Sequence, residues 1–110
     1  MPLAHKPKDM RRFQREEVCF RIEIAGPSLE SASALIVNIS PLGCLLRCSQ
    51  PLESGAELHF DLPLAGRINA RVVWVMGARI GLEFHEEIDA TPYLAMLPKL
   101  HRPGDEMGIY

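Results

Sequence analysis

The clearest indication of the fold lies in residues 67–85, which read RINARVVWVMGARIGLEFH. Apolar and polar residues alternate on both sides of Gly77-Ala78, and a two-residue link that contains glycine is typical of a tight β-hairpin. The alternation predicts one shared apolar face, formed by Ile68, Ala70, Val72, Trp74, Met76, Ile80, Leu82 and Phe84. The stretch is therefore expected to form an antiparallel strand pair with one buried face.

Four further strands are expected upstream of this hairpin. Residues 18–24 alternate with period two, and the apolar runs 32–39 and 43–48 each end at a serine and proline turn. Residues 58–62 alternate again after Ser54-Gly55. Six short strands separated by turn signals, with no helix expected between them, predict an all-β antiparallel barrel or sandwich.

The end of the chain has a different pattern. Thr91 is expected to cap a helix that starts at Pro92, since proline is well tolerated at the first helical position. The helix would present Tyr93, Leu94, Met96 and Leu97 to an open end of the barrel and would stop near Pro98. We expect the folded unit to span residues 16–98, with a mobile tail over 99–110.

The charges of the chain are unevenly distributed. The 110 residues suffice for one domain, and 47% hydrophobic with 24% charged residues excludes wholesale disorder. Five basic residues and one acidic residue give residues 1–15 a formal charge of +4, which leaves −6 on residues 16–110 for the overall −2. A basic arm ahead of an acidic body either binds an anion or is a solvated tail.

The sequence predicts a cytoplasmic protein. Residues 1–10 contain no apolar signal core, and the longest apolar runs, 34–37 and 72–76, are too short to cross a membrane. The three cysteines are Cys19, Cys44 and Cys48. On one strand, Cys44 and Cys48 would lie about 13 Å apart at roughly 3.3 Å per residue, too far for a disulfide. We therefore expect reduced, buried thiols and no zinc site.

The common enzyme motifs are absent from the sequence. It contains no phosphate loop, no G-x-S-x-G elbow and no H-E-x-x-H pair, and its four histidines are isolated. The acidic residues Glu83, Glu86, Glu87 and Asp89 match no cation-binding loop, and solvation of a barrel surface explains them at least as well. We therefore expect a protein that is not an enzyme and holds neither a metal nor a cofactor.

Two short motifs do carry binding chemistry. Arg11 and Arg15 form an R-x-x-x-R pattern just before the first strand, and arginine forks match phosphates and guanine edges. A second copy at Arg67 and Arg71 lies within a predicted strand and is interpreted as a solvated face. Residues 38–43 read NISPLG, an N-x-S-x-x-G turn; the wider pattern D/N-x-S-x-x-G is expected by chance roughly 0.02 times in this chain. In this turn, Asn38 and Ser40 either bind a ligand or bond to their own backbone.

Together these motifs resemble the PilZ domain family. The resemblance rests on R-x-x-x-R ahead of the first strand, N-x-S-x-x-G one strand pair later, and the closing segments ARVVWV at 70–75 and IGLEF at 80–84. It covers about residues 11–84. It implies a six-stranded antiparallel barrel with a short C-terminal helix that binds the bacterial second messenger cyclic di-GMP.

The resemblance also implies roles for individual residues. Arg11 and Arg15 would hold guanine edges and phosphates, and the adjacent Arg12 would add charge. Asn38 and Ser40 would bind a second guanine edge and nearby phosphate oxygens, while Gly43 would keep the turn open. Asn38 replaces the aspartate more frequent in the family, and a neutral acceptor forms the weaker bond. Trp74 would either flank the ligand or, as its alternation favours, belong to the core.

The function predicted from the sequence is a ligand-triggered switch. The basic arm, residues 1–15, would close over cyclic di-GMP and present a new surface to an unidentified downstream protein, with the receptor a monomer or weak homodimer. One alternative is a PilZ-like adaptor with weak or no nucleotide binding. A second alternative is a small barrel that binds single-stranded nucleic acid; the acidic body and the 6% aromatic content argue against a polynucleotide partner.

Overall fold

The computed structural model describes residues 14–101, which form a closed barrel of six antiparallel strands and one short helix. The neighbours around the barrel follow the order β1-β2-β3-β6-β5-β4. The elements are β1 (Glu16–Gly26), β2 (Leu29–Ser40), β3 (Gly43–Arg47), β4 (Glu57–Leu62), β5 (Gly66–Met76), β6 (Arg79–Phe84) and α1 (Ala90–Met96), followed by a 3-10 turn (Leu97–Leu100). The predicted barrel with a C-terminal helix is confirmed.

The interior of the barrel follows the period-two pattern of the sequence. In β1, the apolar side chains of Val18, Phe20, Ile22 and Ile24 point inward and are at most 9% exposed. Phe60 and Phe84 meet edge to face across the core, with ring centroids 6.3 Å apart. Cys44 and Cys48 are buried, as expected, whereas Cys19 is only partly buried.

The predicted apolar face of β5 ends at Val72. A β-bulge between Val72 and Trp74 places Trp74 opposite Gly81 in β6. One extra residue moves every later side chain to the opposite face of a strand. Trp74 is therefore 42% exposed and Met76 is 70% exposed. The prediction that both residues lie on the buried face is wrong.

The C-terminal helix starts earlier than predicted. Asp89 is the N-cap, and its carbonyl accepts a hydrogen bond from the backbone N–H of Tyr93 at 3.0 Å. Thr91 lies within the first turn, so its predicted capping role is wrong. Tyr93 and Met96, three positions apart, are buried against the barrel, whereas Leu94 is 47% exposed.

Regular structure also continues past the boundary expected at residue 98. Pro98 lies in the 3-10 turn, where its missing N–H is tolerated near the start. Leu100 is completely buried, and His101 forms a parallel bridge with Cys19 in β1. Hydrophobic contact with the barrel thus extends the folded unit to residue 101. Residues 102–110 of the expected tail, and residues 1–13 of the expected arm, lie outside the described residues.

Candidate ligand-binding site

An open cleft of about 340 Å³ lies on the outside of the barrel, next to the turn between β2 and β3. Three parts of the chain form it: the segment before β1, the turn itself, and the hairpin of β5 and β6. Its lining residues are Arg15, Ser40, Leu42, Gly43, Val73, Leu82 and Glu83. The cleft therefore brings together three of the residues that the motifs predicted, together with a carboxylate that they did not.

Arg15 is joined directly to the N-x-S-x-x-G segment. Its Nη1 donates a hydrogen bond to Oδ1 of Asn38 at 2.9 Å, across 23 residues of sequence. This contact brings the two sequence motifs together on one surface. A guanidinium has five N–H donors, so this one bond does not exhaust its capacity to bind an anion. The electrostatic influence of Arg15 also reaches Cys44 and Tyr93, where it partly offsets the rise in pKa that burial causes.

Ser40 makes the local turn bond and also lines the cleft. Its side-chain oxygen accepts a hydrogen bond from the backbone N–H of Leu42 at 3.3 Å, which is the local turn bond. The residue is only 3% exposed, yet it contributes to the lining of the cleft. Because the hydroxyl accepts in this bond, its own proton is available for donation.

The turn that carries Ser40 is fixed from three sides. Tyr93 in α1 donates a hydrogen bond from its hydroxyl to the carbonyl of Ile39 at 3.2 Å. The backbone N–H of Ile88 donates to the carbonyl of Pro41 at 3.0 Å, and that of Phe84 donates to the carbonyl of Leu42 at 2.8 Å. Helix α1, the segment that precedes it and the end of β6 therefore hold the cleft-forming turn in place.

Gly43 is required by the contact between strands. A Cβ at this position would collide with the backbone carbonyl of Leu82 in β6, against which β3 packs. A side chain at Gly43 would therefore push the backbones of β3 and β6 apart. The glycine thus allows β3 and β6 to approach each other at the floor of the cleft.

Trp74 lies on the same outer face of the barrel as Asn38. The strand register aligns Asn38 with Leu45, Leu45 with Gly81, and Gly81 with Trp74. The indole packs over Gly81, where a Cβ would collide with it. Its neighbour Val73 lines the cleft, so Trp74 stands beside the cleft rather than in the core.

Glu83 is the charged lining residue that the sequence analysis did not assign to the site. Its Oε1 accepts a hydrogen bond from Nη2 of Arg71 at 2.6 Å, within a partly exposed ion pair. The sequence suggested only a solvated acidic cluster and a solvated strand face. The one feature of the sequence that could have placed Glu83 at the surface is its outward position in the alternation of β6. Its proximity to Gly43 depends on the pairing of β3 with β6, which are distant in sequence.

The other predicted residues and groups that the structure describes do not line the cleft. Arg11 and Arg12 lie outside the described residues. Arg67, in the second R-x-x-x-R copy, pairs with Asp61 at 3.5 Å on the exposed surface. Within residues 14–101, the histidine, cysteine and acidic side chains form no group that could hold a metal ion. Nor does that part of the chain contain a helix of the length and apolar character needed to cross a membrane.

The barrel carries on its outer surface a cleft lined by both polar and apolar residues. A guanidinium and a hydroxyl line the cleft, and the amide of Asn38 is bonded to that guanidinium. Groups of these kinds recognise anions and nucleobase edges. A comparison with protein families matches residues 9–96 to the PilZ domain. The chain therefore belongs to the PilZ family, a family of cyclic di-GMP receptor domains. A search of curated proteins found no match.

Proposed function

We propose that the protein is a cyclic di-GMP receptor that signals to a protein partner through its N-terminal arm. The main observation in support of this proposal is the hydrogen bond from Arg15 to Asn38 beside Ser40, at the edge of an open cleft. This contact links the two motifs by which the family is recognised. The proposal is that this chain binds cyclic di-GMP, as its family does, and that it does so with Arg15, Asn38 and Ser40.

The chemistry of the cleft suits such a ligand. Cyclic di-GMP carries two phosphates and two guanines. Arg15 supplies a planar fork for a phosphate or for the O6/N7 edge of guanine. Asn38 and Ser40 supply an amide and a hydroxyl, and Trp74 beside the cleft supplies a face for a base.

The basic arm supplies the remaining positive charge in this proposal. Arg11 and Arg12 precede Arg15 by a few residues, and residues 1–15 carry a formal charge of +4. A dianionic ligand in the cleft would attract the arm and order it, with the cost of ordering offset by the new contacts. The ordered arm would then form part of the surface that a partner protein recognises.

The two alternatives differ in what the cleft and the arm bind. A PilZ-like adaptor without ligand would bind only its protein partner. A binder of single-stranded nucleic acid would need several exposed stacking aromatics, whereas Trp74 is the single large aromatic exposed among residues 14–101. The charge of −6 on residues 16–110 would also repel a long polyanion. We therefore favour the compact dianion.

Isothermal titration of the chain with cyclic di-GMP tests the proposal, with Arg15→Ala as the key variant. Hydrogen bonds to charged groups contribute about 1.5–3 kcal/mol, so the variant should bind roughly ten- to a hundredfold more weakly. The matched control is Arg67→Ala, which removes an exposed arginine from the second R-x-x-x-R copy and should leave affinity unchanged.

The results of this titration distinguish the three candidate functions: cyclic di-GMP receptor, adaptor without ligand, and binder of single-stranded nucleic acid. Equal binding by the parent chain and Arg15→Ala would remove the arginine from the site. Failure of the parent chain to bind at all would favour the adaptor. Tighter binding of single-stranded nucleic acid, with affinity that falls steeply as salt rises, would favour the polyanion binder.

A further inference from the structure

Glu83 has a position that the proposed function does not explain. It is a carboxylate in the wall of a cleft that also contains Arg15, and the proposed ligand is a dianion. We propose that Glu83 is the guanine-selecting residue of this cleft, accepting hydrogen bonds from the N1–H and the exocyclic amino group of one guanine. This inference rests on the proposed function and assigns a contact within the same site.

The strand register explains why Glu83 faces the cleft. Around the outside of the barrel, Ser40 is aligned with Gly43, Gly43 with Glu83, and Glu83 with Arg71. Since Gly43 has no side chain, no side chain separates Glu83 from the turn at Ser40 along this row. The carboxylate and the turn therefore border the same cleft.

The carboxylate is held by its neighbour on the other side. Nη2 of Arg71 donates to Oε1 of Glu83 at 2.6 Å. Arg71 is in turn opposite Glu57 in β4, whose Oε1 lies 2.5 Å from Nε2 of His85. The pair of Arg71 and Glu83 orients the carboxylate before a ligand arrives. The side chain of Glu83 remains 54% exposed, and a carboxylate has about four lone-pair positions, so acceptor capacity is left for a ligand.

The chemistry of the carboxylate selects the part of the ligand that it can contact. An ionised carboxylate only accepts hydrogen bonds, and it repels phosphate oxygens. On the Watson–Crick edge, guanine presents two adjacent donors, the N1–H and the amino group, which match the two carboxylate oxygens. Adenine presents an acceptor at N1 in place of one donor. A site that hydrogen-bonds such groups discriminates strongly against an analogue that lacks them.

The test is isothermal titration of the parent chain and Glu83→Gln with cyclic di-GMP and with cyclic di-AMP. Glutamine keeps the shape of the side chain but presents one acceptor and one donor group, which matches adenine better than guanine. We expect Glu83→Gln to bind cyclic di-GMP at least tenfold more weakly and to bind cyclic di-AMP more tightly than the parent chain does. Opposite changes for the two ligands are the signature of base recognition.

A purely electrostatic role for Glu83 gives a different result. If Glu83 only repelled the phosphates, removal of its charge would tighten the binding of both ligands, and that result would overturn the assignment. Unchanged affinity for cyclic di-GMP would overturn it as well. Asp61→Asn is the matched control, since it removes one exposed acidic charge that is paired with Arg67 and should alter neither affinity.

One further measurement, and the comparison with the parent chain, keep the test of Glu83 independent of folding and of the proposed function. Thermal unfolding should show that Glu83→Gln is folded, because an exposed ion pair contributes about 1 kcal/mol or less. If the parent chain binds cyclic di-GMP and the variant retains full affinity, the assignment of Glu83 alone fails. If the parent chain binds no cyclic di-GMP, the proposed function fails and the assignment fails with it.

Discussion

Two glycines beside the cleft are constrained by different neighbours. At Gly43 an added Cβ would meet the backbone of Leu82, and at Gly81 it would meet the side chain of Trp74. Strand backbones cannot move apart without disrupting the sheet, whereas an indole at the surface can rotate away. The two positions should therefore differ in how their substitutions can be rescued.

Gly81→Ala should destabilise the parent protein by about 0.5–1.5 kcal/mol, because the indole of Trp74 must leave its preferred rotamer to make room for the added Cβ. In a Trp74→Ala background the same substitution should cost much less, because the indole that it would meet is gone. Urea unfolding of the parent, the two single variants and the double variant gives the cost of Gly81→Ala with and without the indole, as a double-mutant cycle. Equal costs in both backgrounds would mean that the indole does not rest on Gly81.

Gly43→Ala provides the contrasting case. Its clash is with the carbonyl of Leu82, so Leu82→Ala, which keeps that carbonyl, should not rescue it. Additive losses of stability in this second cycle would support a backbone contact.

At the residue scale, sequence reasoning succeeds where a motif is local. Asn38, Ser40 and Gly43 lie within six residues of one another, and their turn is visible in the order of the residues. Arg15 was assigned to the same site through the resemblance, and the structure joins it to Asn38. Glu83 was missed because it reaches the cleft only through the pairing of β3 with β6, and no local pattern encodes that pairing.

At the scale of elements, helix α1 acts as a support for the cleft-forming turn. Tyr93 bonds to the carbonyl of Ile39, which directly precedes Ser40. Tyr93→Phe removes this buried hydrogen bond and should lower the free energy of unfolding by about 1 kcal/mol. Urea denaturation followed by circular dichroism measures the loss.

Leu94 offers a matched control on the same helix. It is 47% exposed, so Leu94→Ala should change stability by no more than about 0.5 kcal/mol. A Tyr93→Phe protein as stable as the parent chain would show that the hydroxyl contributes nothing to docking of the helix.

The strands show where sequence patterns are sufficient and where they fail. The alternation of β1 predicted its buried face, because every second residue from Val18 to Ile24 is apolar. In β5 the same alternation continued through Trp74 and Met76, yet both are exposed. A bulge leaves the order of apolar residues unchanged and alters only their register, so it is invisible to periodicity.

At the scale of the whole molecule, burial of ionisable groups should limit stability at high pH. Burial raises the pKa of the Cys44 thiol from the usual 9.0 to about 12. Burial, aided by Glu16, raises the pKa of Tyr93 from 10.0 to about 12. Both groups are neutral in the fold, and in the unfolded chain they ionise near their usual values.

The free energy of unfolding should therefore show no contribution from these groups below about pH 9 and should fall as pH rises from 9 toward 12. Urea unfolding at several pH values measures this slope. Cys44→Ala removes the ionisation of the thiol, so the free energy of unfolding of this variant should fall less steeply between pH 9 and 10. An identical slope in the variant would mean that the thiol ionises equally in both states.

The bridge between Cys19 and His101 has a consequence for protein engineering. It places the entry and exit points of the barrel side by side, an arrangement in which circular permutation is well tolerated. A permutant whose original ends are joined by a linker could be opened at Leu64, which is 59% exposed in the turn between β4 and β5. In such a protein the basic segment becomes part of an internal loop, and its charges are kept.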